Sequence, residues 1–388
     1  MRRHWKVAFT VASFAAFHVA ESPARAAPMD PAPDRLYLQP SNMPAGQSCQ
    51  TVAANPNIVF STPFPAGATP GNYACVPNNV AWANLMSELG YAIAPSAFHP
   101  ARTTGFGGFA LSLEASFAHI NANAQDSTGT YYWQAGTQGP TNAANGAFSR
   151  VNQNPDSILQ IYTLKARKGL PFGFEITGAL GYIANTSLWL GGADVHWAIL
   201  EGFRTGILGY LPDIAIGGGV RTVGGASSFY LTTVGIDGQI SKPFTLADSA
   251  VLTPYVGVQR LIIWADSTVV NLTPTVDPLQ QCGYRGTNVQ GNPYAPGNAS
   301  GVYDGSPVCS NKLANGAPNN GDFNNLTTFQ KDTIDRWRGI LGLIYRYEIL
   351  SLGGQFAMDI ENPSVENANL GVSGAKQWTT SFEAGVSF

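Results

Sequence analysis

Beyond residue 104, apolar and polar residues alternate with period two over most of the chain. The last segment is the clearest, because every second residue falls on one face: Trp378, Thr380, Phe382, Ala384, Val386 and Phe388. Nine earlier segments follow the same rule, at about 109–117, 158–168, 172–182, 188–203, 214–221, 230–240, 251–265, 336–347 and 352–360. Such alternation predicts antiparallel β-strands that each present one apolar and one polar face.

The connections between these ten segments alternate between short and long. The short connections are residues 169–171, 204–213, 242–250 and 348–350. The others are residues 121–156, 185–187, 224–229, 266–332 and 362–377, and three of these five are long. One end of the predicted sheet therefore carries tight turns and the other carries the loops, a pattern typical of transmembrane barrels.

Residues 1–26 have the features of a secretory signal peptide. A basic start is followed by the apolar run 7–20, and Ala24-Arg25-Ala26 supplies the small residues of a cleavage site. The apolar run is too short to span a bilayer. We therefore expect cleavage after Ala26 and export of the mature chain.

The composition agrees with a barrel and argues against other classes. Charged residues make up 12% of the chain and apolar residues 44%, and no apolar run of membrane-spanning length follows the signal. A polytopic helical membrane protein would need such runs. The formal net charge of −3 offers no basic surface for nucleic acid.

The signal peptide, the alternating strands and the terminal Phe388 together resemble the Gram-negative outer-membrane β-barrel superfamily. The last strand of these proteins typically ends in phenylalanine as part of an assembly signal. The resemblance covers residues 105–388 and identifies no particular transporter family. It implies an all-β, up-and-down antiparallel barrel in the outer membrane, surrounded by lipid and inserted by the barrel-assembly machinery. Ten strands are expected, or twelve if residues 130–134 begin a further hairpin.

The N-terminal segment 27–104 differs from the rest, and it contains one predicted helix. Its apolar residues recur at helical spacing, with Asn78 or Asn79 as the cap and Gly90 as a stop: Trp82, Leu85, Met86 and Leu89. The segment could plug the barrel, or it could be a periplasmic cap or a docked helix. We favour the cap, because ten strands leave little room and an apolar stripe suits a polar lumen poorly.

The charged residues of the strands fall opposite the apolar face, and we expect them to face the lumen because a base in lipid is costly. With one histidine, they are Glu114, Lys165, Arg167, Glu175, Asp194, His196, Arg221, Asp237, Arg336, Arg338, Arg346, Asp359 and Glu383. They could line a polar pore that selects solutes, or they could form a paired network inside a closed barrel.

Arg260 does not fit this sorting. It shares a face with Leu252, Val256 and Val258, while Leu261 and Ile263 lie on the other face. A β-bulge near residues 257–260 would shift the phase of the strand. Alternatively, the long Arg260 side chain reaches the headgroup zone.

Four cysteines form two local pairs, Cys49 with Cys75 and Cys282 with Cys309. In an exported protein they predict two disulfides, each bracketing an aperiodic stretch, although three connectivities are possible. No metal-ligand spacing accompanies the cysteines, so neither a metal nor a cofactor is expected.

An enzyme is not expected either. Asp194 with His196, and Asp332 with Asp335, are predicted near the outer rim, where some barrels carry hydrolytic sites. An aspartate could orient a histidine base there, but no nucleophile motif accompanies either pair. The leading hypothesis is passive passage or uptake of small solutes. A closed structural or adhesive barrel that acts through its outer loops is the alternative.

Overall fold

The computed structural model shows a closed barrel of ten antiparallel strands around an internal helix. It describes residues 27–38, 76–96, 99–125, 129–137, 154–202, 211–247, 250–272, 282–284, 307–309, 326–365 and 376–388. The predicted signal peptide, Cys49, Cys75 and parts of the loops 121–156 and 266–332 lie outside these residues.

Each barrel strand pairs with its neighbours in sequence order. The strands are β1 (Phe109–His119), β2 (Ile158–Gly169), β3 (Phe174–Ile183), β4 (Trp189–Leu200), β5 (Asp213–Gly224), β6 (Phe229–Ser241), β7 (Ala250–Ser267), β8 (Asp332–Tyr347), β9 (Leu350–Asp359) and β10 (Trp378–Ser387). β10 pairs with β1 and closes the sheet. Phe388 and Phe109 exchange two backbone hydrogen bonds at this seam. The predicted fold class and the count of ten are confirmed.

The twelve-strand alternative is wrong. Residues Tyr132–Gly136 form a short helix, α2, and not the start of a hairpin. We call the end of the barrel with tight connections the turn end, and the opposite end the loop end.

The outer surface of the barrel carries an apolar belt between two girdles of aromatic residues. On β8 the outward residues run from Trp337 to Tyr347, about 34 Å along the strand and about 26 Å in height at a typical tilt. Exposed aromatic residues at the loop end are Tyr162, Tyr182, Trp189, Tyr230, Trp264 and Trp337; those at the turn end are Phe109, Phe174, Trp197, Tyr345, Tyr347 and Phe388. A belt of this height between two girdles of aromatic residues is typical of a membrane-spanning barrel.

β7 keeps its register through Arg260, so the predicted bulge is wrong. The strand pairs continuously with β6 and β8 across residues 255–265. Arg260 faces outward at the level of Trp337, pairs with the outward Asp335 and lies 5.9 Å from the Trp337 ring centre. Leu261 and Ile263 face the lumen, where they are fully buried. Apolar residues thus lie on both faces of β7 near the loop end, because its inner face packs against a helix inside the barrel.

Short elements cover the loop end. Residues Tyr37–Leu38 pair with Val76–Pro77, and Val270–Asn271 pair with Leu326–Thr327. Cys282 lies directly opposite Cys309 in another short antiparallel pair, a register with a backbone spacing that a disulfide can bridge. Both disulfides stay predictions.

The predicted helix is α1, Asn79–Ile93. The Asn78 side chain caps it and accepts a hydrogen bond from the amide of Ala81 at 3.0 Å. The predicted stop at Gly90 is wrong by three residues. The helix ends just before Pro95, because the residue that precedes a proline is disfavoured in helical geometry.

Candidate functional site: the lumen

Helix α1 lies inside the barrel and is buried on all sides. Its residues 81–93 are all buried, and it packs against β1, β6, β7 and β8. Gly90 approaches the wall so closely that an added Cβ would lie 2.4 Å from Cγ2 of Ile263. The cap interpretation that we favoured from the sequence is therefore wrong, and the plug interpretation describes the position of α1.

The physical reason is that the lumen is not uniformly polar. Near the loop end its wall is apolar, formed by Ile161, Ile183, Leu188, Leu190, Phe229, Leu231, Ile263, Ala265 and Ile334. These side chains and the helix residues Trp82, Leu85, Met86 and Leu89 form one core. The Trp82 ring also stacks on Phe329 at 4.8 Å between centroids. The apolar stripe of α1 is therefore matched by an apolar collar.

One buried carboxylate ties the helix to the loop end. Glu88 accepts hydrogen bonds from the backbone amide and side-chain amide of Asn121, both at 3.0 Å. It also accepts from Trp133 Nε1 of α2 at 2.5 Å. Three donors offset part of the cost of burying this carboxylate.

Two arginines of β8 meet the C-terminal end of α1. The guanidinium carbons of Arg336 and Arg338 lie 4.5 and 5.4 Å from the centre of the Tyr91 ring. Arg336 also donates to the carbonyl of Ser87 at 3.0 Å, and Arg338 donates to the carbonyl of Pro95 at 2.5 Å. Cations at this end stabilise the helix, since its free carbonyls carry partial negative charge.

The chain then continues through the turn-end half of the lumen to β1. We call residues 79–105 the luminal segment; residues 97 and 98 lie outside the described part. Beyond Pro95, further side chains bind its backbone: Gln355 donates to the Ser96 carbonyl (2.5 Å), Ser241 accepts from the Ala101 amide (3.0 Å), Glu201 accepts from the Thr103 amide (2.8 Å) and Glu175 accepts from the Thr104 amide (2.9 Å). The luminal segment is thus bonded to the wall along both halves of the lumen.

In the turn-end half the wall is charged, and its charges are paired. Lys165 binds Glu114, and its Nζ lies 3.5 Å from Glu383. Arg167 donates to both oxygens of Glu383 at 2.6 and 2.8 Å. Ser96 of the luminal segment joins this network, since it accepts from Lys165 at 2.7 Å and donates to Glu114 at 2.8 Å.

The remaining predicted lumen residues lie on the same inner face. Arg221 binds Asp194 through two 2.7 Å hydrogen bonds, and Arg336 pairs with the fully buried Asp359. Asp237 accepts from Gln239 at 2.9 Å. Arg346 is exposed at the turn-end rim, where it donates to Ser387 at 2.9 Å.

Two histidines stack between the luminal segment and the wall. The rings of His99 and His196 lie 4.1 Å apart at an angle of 33°, and both are at least nine-tenths buried. Three of their ring nitrogens have no hydrogen-bond partner among the described residues: Nδ1 of His99, and Nδ1 and Nε2 of His196. Burial and the nearby positive charges of Arg167 and Lys165 disfavour a proton on His99.

A cavity of about 140 Å³ lies between the luminal segment and the wall at the turn end. Its polar lining includes Arg102, Thr103, Arg167, Glu175, Arg346 and Glu383. It adjoins the charged network at Arg167 and Glu383.

The two predicted rim pairs do not assemble as expected. Asp194 lies midway along β4 and binds Arg221, while His196 lies near the turn end and stacks on His99. β4 begins at the loop end with Trp189, so Asp194 and His196 lie five and seven residues further along the strand and not at the rim. Asp332 faces the lumen and Asp335 faces outward, because an odd spacing places them on opposite faces.

Several residues that shape the lumen were missed from the sequence. They are Glu88, Tyr91, Pro95, Ser96, His99, Gln259 and Gln355. The N-terminal ones lie in a segment that was expected outside the barrel, and the two glutamines carry no charge to mark them. A helix stripe matched by apolar inward positions near the loop ends of the strands would have indicated them.

Within the described residues, no cluster of three or more histidine, cysteine or acidic side chains could hold a metal ion. No helix in the same residues has the length and hydropathy needed to cross a bilayer.

The chain matches no protein-family model and no curated protein. Among solved structures it is similar to the attachment invasion locus protein Ail of Yersinia pestis, with 9% identity over 73% of this chain and 99% of that one, at a TM-score of 0.23. Neisserial surface protein A gives 10% identity over 72% and 97%, at 0.23. Omp33 of Acinetobacter baumannii gives 8% identity over 73% and 98%, at 0.20. The fold is given by the strand pairing described above, a closed barrel of ten antiparallel strands with an apolar outer belt.

Proposed function

We propose that the protein is an outer-membrane barrel that is closed in its resting state and displays its loop end outside the cell. One observation carries the proposal: the luminal segment occupies both halves of the lumen and is bonded to the wall in each. The apolar belt and the two girdles of aromatic residues support the membrane location. Acyl lipid is thus the partner of the outer surface.

Export and assembly fit the same proposal. Cleavage after Ala26 would leave Ala27 as the mature N-terminus, and its nitrogen lies 2.7 Å from a carboxylate oxygen of Asp30. Asp30 also accepts from the Ser187 amide at 2.6 Å, which anchors this end at the loop end. Phe388 lies at the barrel seam, a position suited to recognition by the assembly machinery before closure.

The closed state can be tested by conductance. Purified full-length protein in planar bilayers at pH 7.5 should give no steady current. A variant with residues 79–104 replaced by a Gly/Ser linker of equal length should conduct, provided that a mobility shift on unheated gels shows a folded barrel. A steady current through the full-length protein would contradict the closed state.

A second candidate is passage of small polar solutes after the luminal segment moves. The turn-end cavity and its charged lining favour this reading, since they would form the entrance of such a path. Conductance of the linker variant that depends on ion charge would support it. Equal conductance for anions and cations of similar size would count against a selective charged wall.

A further inference from the structure

We propose that His99 and His196 form an acid-sensitive latch that releases the luminal segment from the turn-end half of the lumen. The proposal goes beyond a closed barrel, because it names what would open it. His99 belongs to the luminal segment and His196 belongs to β4 of the wall, so their contact spans the boundary that must separate.

The geometry of the pair favours neutral rings. At 4.1 Å between centroids, two protonated imidazoles would repel each other strongly in a buried site. The unpartnered nitrogens described above leave an added proton without a local acceptor. We call the state in which the two rings are in contact the seated state. Both observations mean that the seated state binds fewer protons than a state in which the rings are exposed to water.

The surrounding charges add to this effect. Lys165 and Arg167 of β2 repel a proton on His99, and Arg167 repels one on His196. Glu201, which follows β4, attracts a proton on His196, but its carboxylate is already bonded to Thr103.

The other nearby carboxylates are also committed. Glu114 of β1 binds Lys165, and Glu383 of β10 binds Arg167. Glu175 of β3 accepts the amide of Thr104. Each carboxylate that faces the pair is thus already bonded to a cation or to the luminal segment.

The direction of the pH effect follows from these contacts. Because protonation is disfavoured while the two rings are in contact, the contact is favoured at neutral pH and loses stability as the pH falls below about 6.5, the ordinary pKa of a solvated histidine. At pH 5.5 each histidine that stays neutral in the seated state lowers the equilibrium constant between the released and seated states, in favour of release, about tenfold. The pair would lower it about a hundredfold.

Amide hydrogen exchange followed by mass spectrometry tests the latch in the full-length protein in detergent. Protection factors, corrected for intrinsic exchange, should fall about a hundredfold for peptides covering 88–105 between pH 7.5 and 5.5. The double variant His99→Gln/His196→Gln should lose this dependence. His119→Gln is the matched control, since His119 stacks on Trp378 outside the pair and should leave the dependence intact.

The proposal is overturned if the parent keeps its protection at pH 5.5, or if the double variant retains the full pH dependence. Each single variant should keep about a tenfold dependence, which provides a second check if the double variant folds poorly. This inference rests on the closed resting state, yet the two can fail separately. Current at pH 7.5 contradicts the closed state, whereas unchanged exchange contradicts the latch alone.

Discussion

Substitution of Gly90 by alanine tests where helix α1 lies, because the sign of its effect depends on the surroundings. In a helix that faces solvent, alanine is favoured over glycine by about 1 kcal/mol. In the barrel, a Cβ at position 90 would lie 2.4 Å from Cγ2 and 2.9 Å from Cδ1 of Ile263. The first distance is far shorter than any ordinary carbon–carbon contact.

The expected magnitude is the difference between these two effects. Overpacking of a filled core costs about 1–3 kcal/mol, and the helix preference returns about 1 kcal/mol. We therefore expect Gly90→Ala to lower the free energy of unfolding by about 1 kcal/mol. Ile263→Ala alone should cost about 2–5 kcal/mol through the cavity it leaves. The stability loss of the double variant should be smaller than the sum of the two single losses by about 1–3 kcal/mol, because the new methyl group fills part of the cavity.

Urea unfolding in detergent micelles, followed by tryptophan fluorescence and by mobility on unheated gels, measures these changes. Gly238→Ala is the matched control, since no atom lies within 4 Å of its added Cβ. A Gly90→Ala variant that is more stable than the parent, with effects additive to those of Ile263→Ala, would refute the placement of α1 against the wall.

Three further predictions follow from single contacts. Glu88→Gln should lower the free energy of unfolding by about 1–3 kcal/mol in the same assay, since one amide oxygen cannot accept from three donors, while the exposed Glu361→Gln should change it little. Asp335→Asn should destabilise the barrel in lipid bilayers, because Arg260 then faces the membrane unpaired, and adding Arg260→Gln should restore stability; no loss in the single variant would contradict the pairing. An epitope placed before Ala27 of the mature chain should be labelled by antibody on intact cells, and labelling only after permeabilisation would contradict an outward N-terminus.

The strands could be predicted from the sequence because each carries its own period-two pattern. The ten segments, the tight turns and the inward orientation of most strand charges follow from local alternation, whereas Arg260 and Asp335 face outward. Helix α1 was also recognisable from the spacing of Trp82, Leu85, Met86 and Leu89. These features depend on residues that are close together in the chain.

The position of the helix could not be read in the same way. The charges of the turn-end half suggested a polar lumen throughout, and the apolar inward residues near the loop end were not weighed against it. Leu261 and Ile263 on the inner face of β7 were the clearest sign, since they made that strand appear out of phase. A helix inside the barrel explains both faces of β7 without a bulge.

The histidine pair lay beyond sequence reasoning for a different reason. His99 and His196 are separated by nearly a hundred residues, and neither lies in a recognisable motif. Their contact exists only because the chain passes through the lumen before it enters β1. The threading of the chain therefore had to be known before the pair could be found.

An engineered disulfide between α1 and the wall tests the central claim most directly. Gly90→Cys and Ile263→Cys should cross-link on mild oxidation of the folded barrel, in a background in which the four native cysteines are replaced by alanine, because the close approach of Gly90 to Ile263 falls within disulfide range. The control pairs Gly90→Cys with Ile262→Cys, whose side chain points to the other face of β7. The account predicts a linked peptide pair by mass spectrometry in the first variant and none in the second. No link in the first, or equal linking in both, would contradict a helix seated inside the barrel.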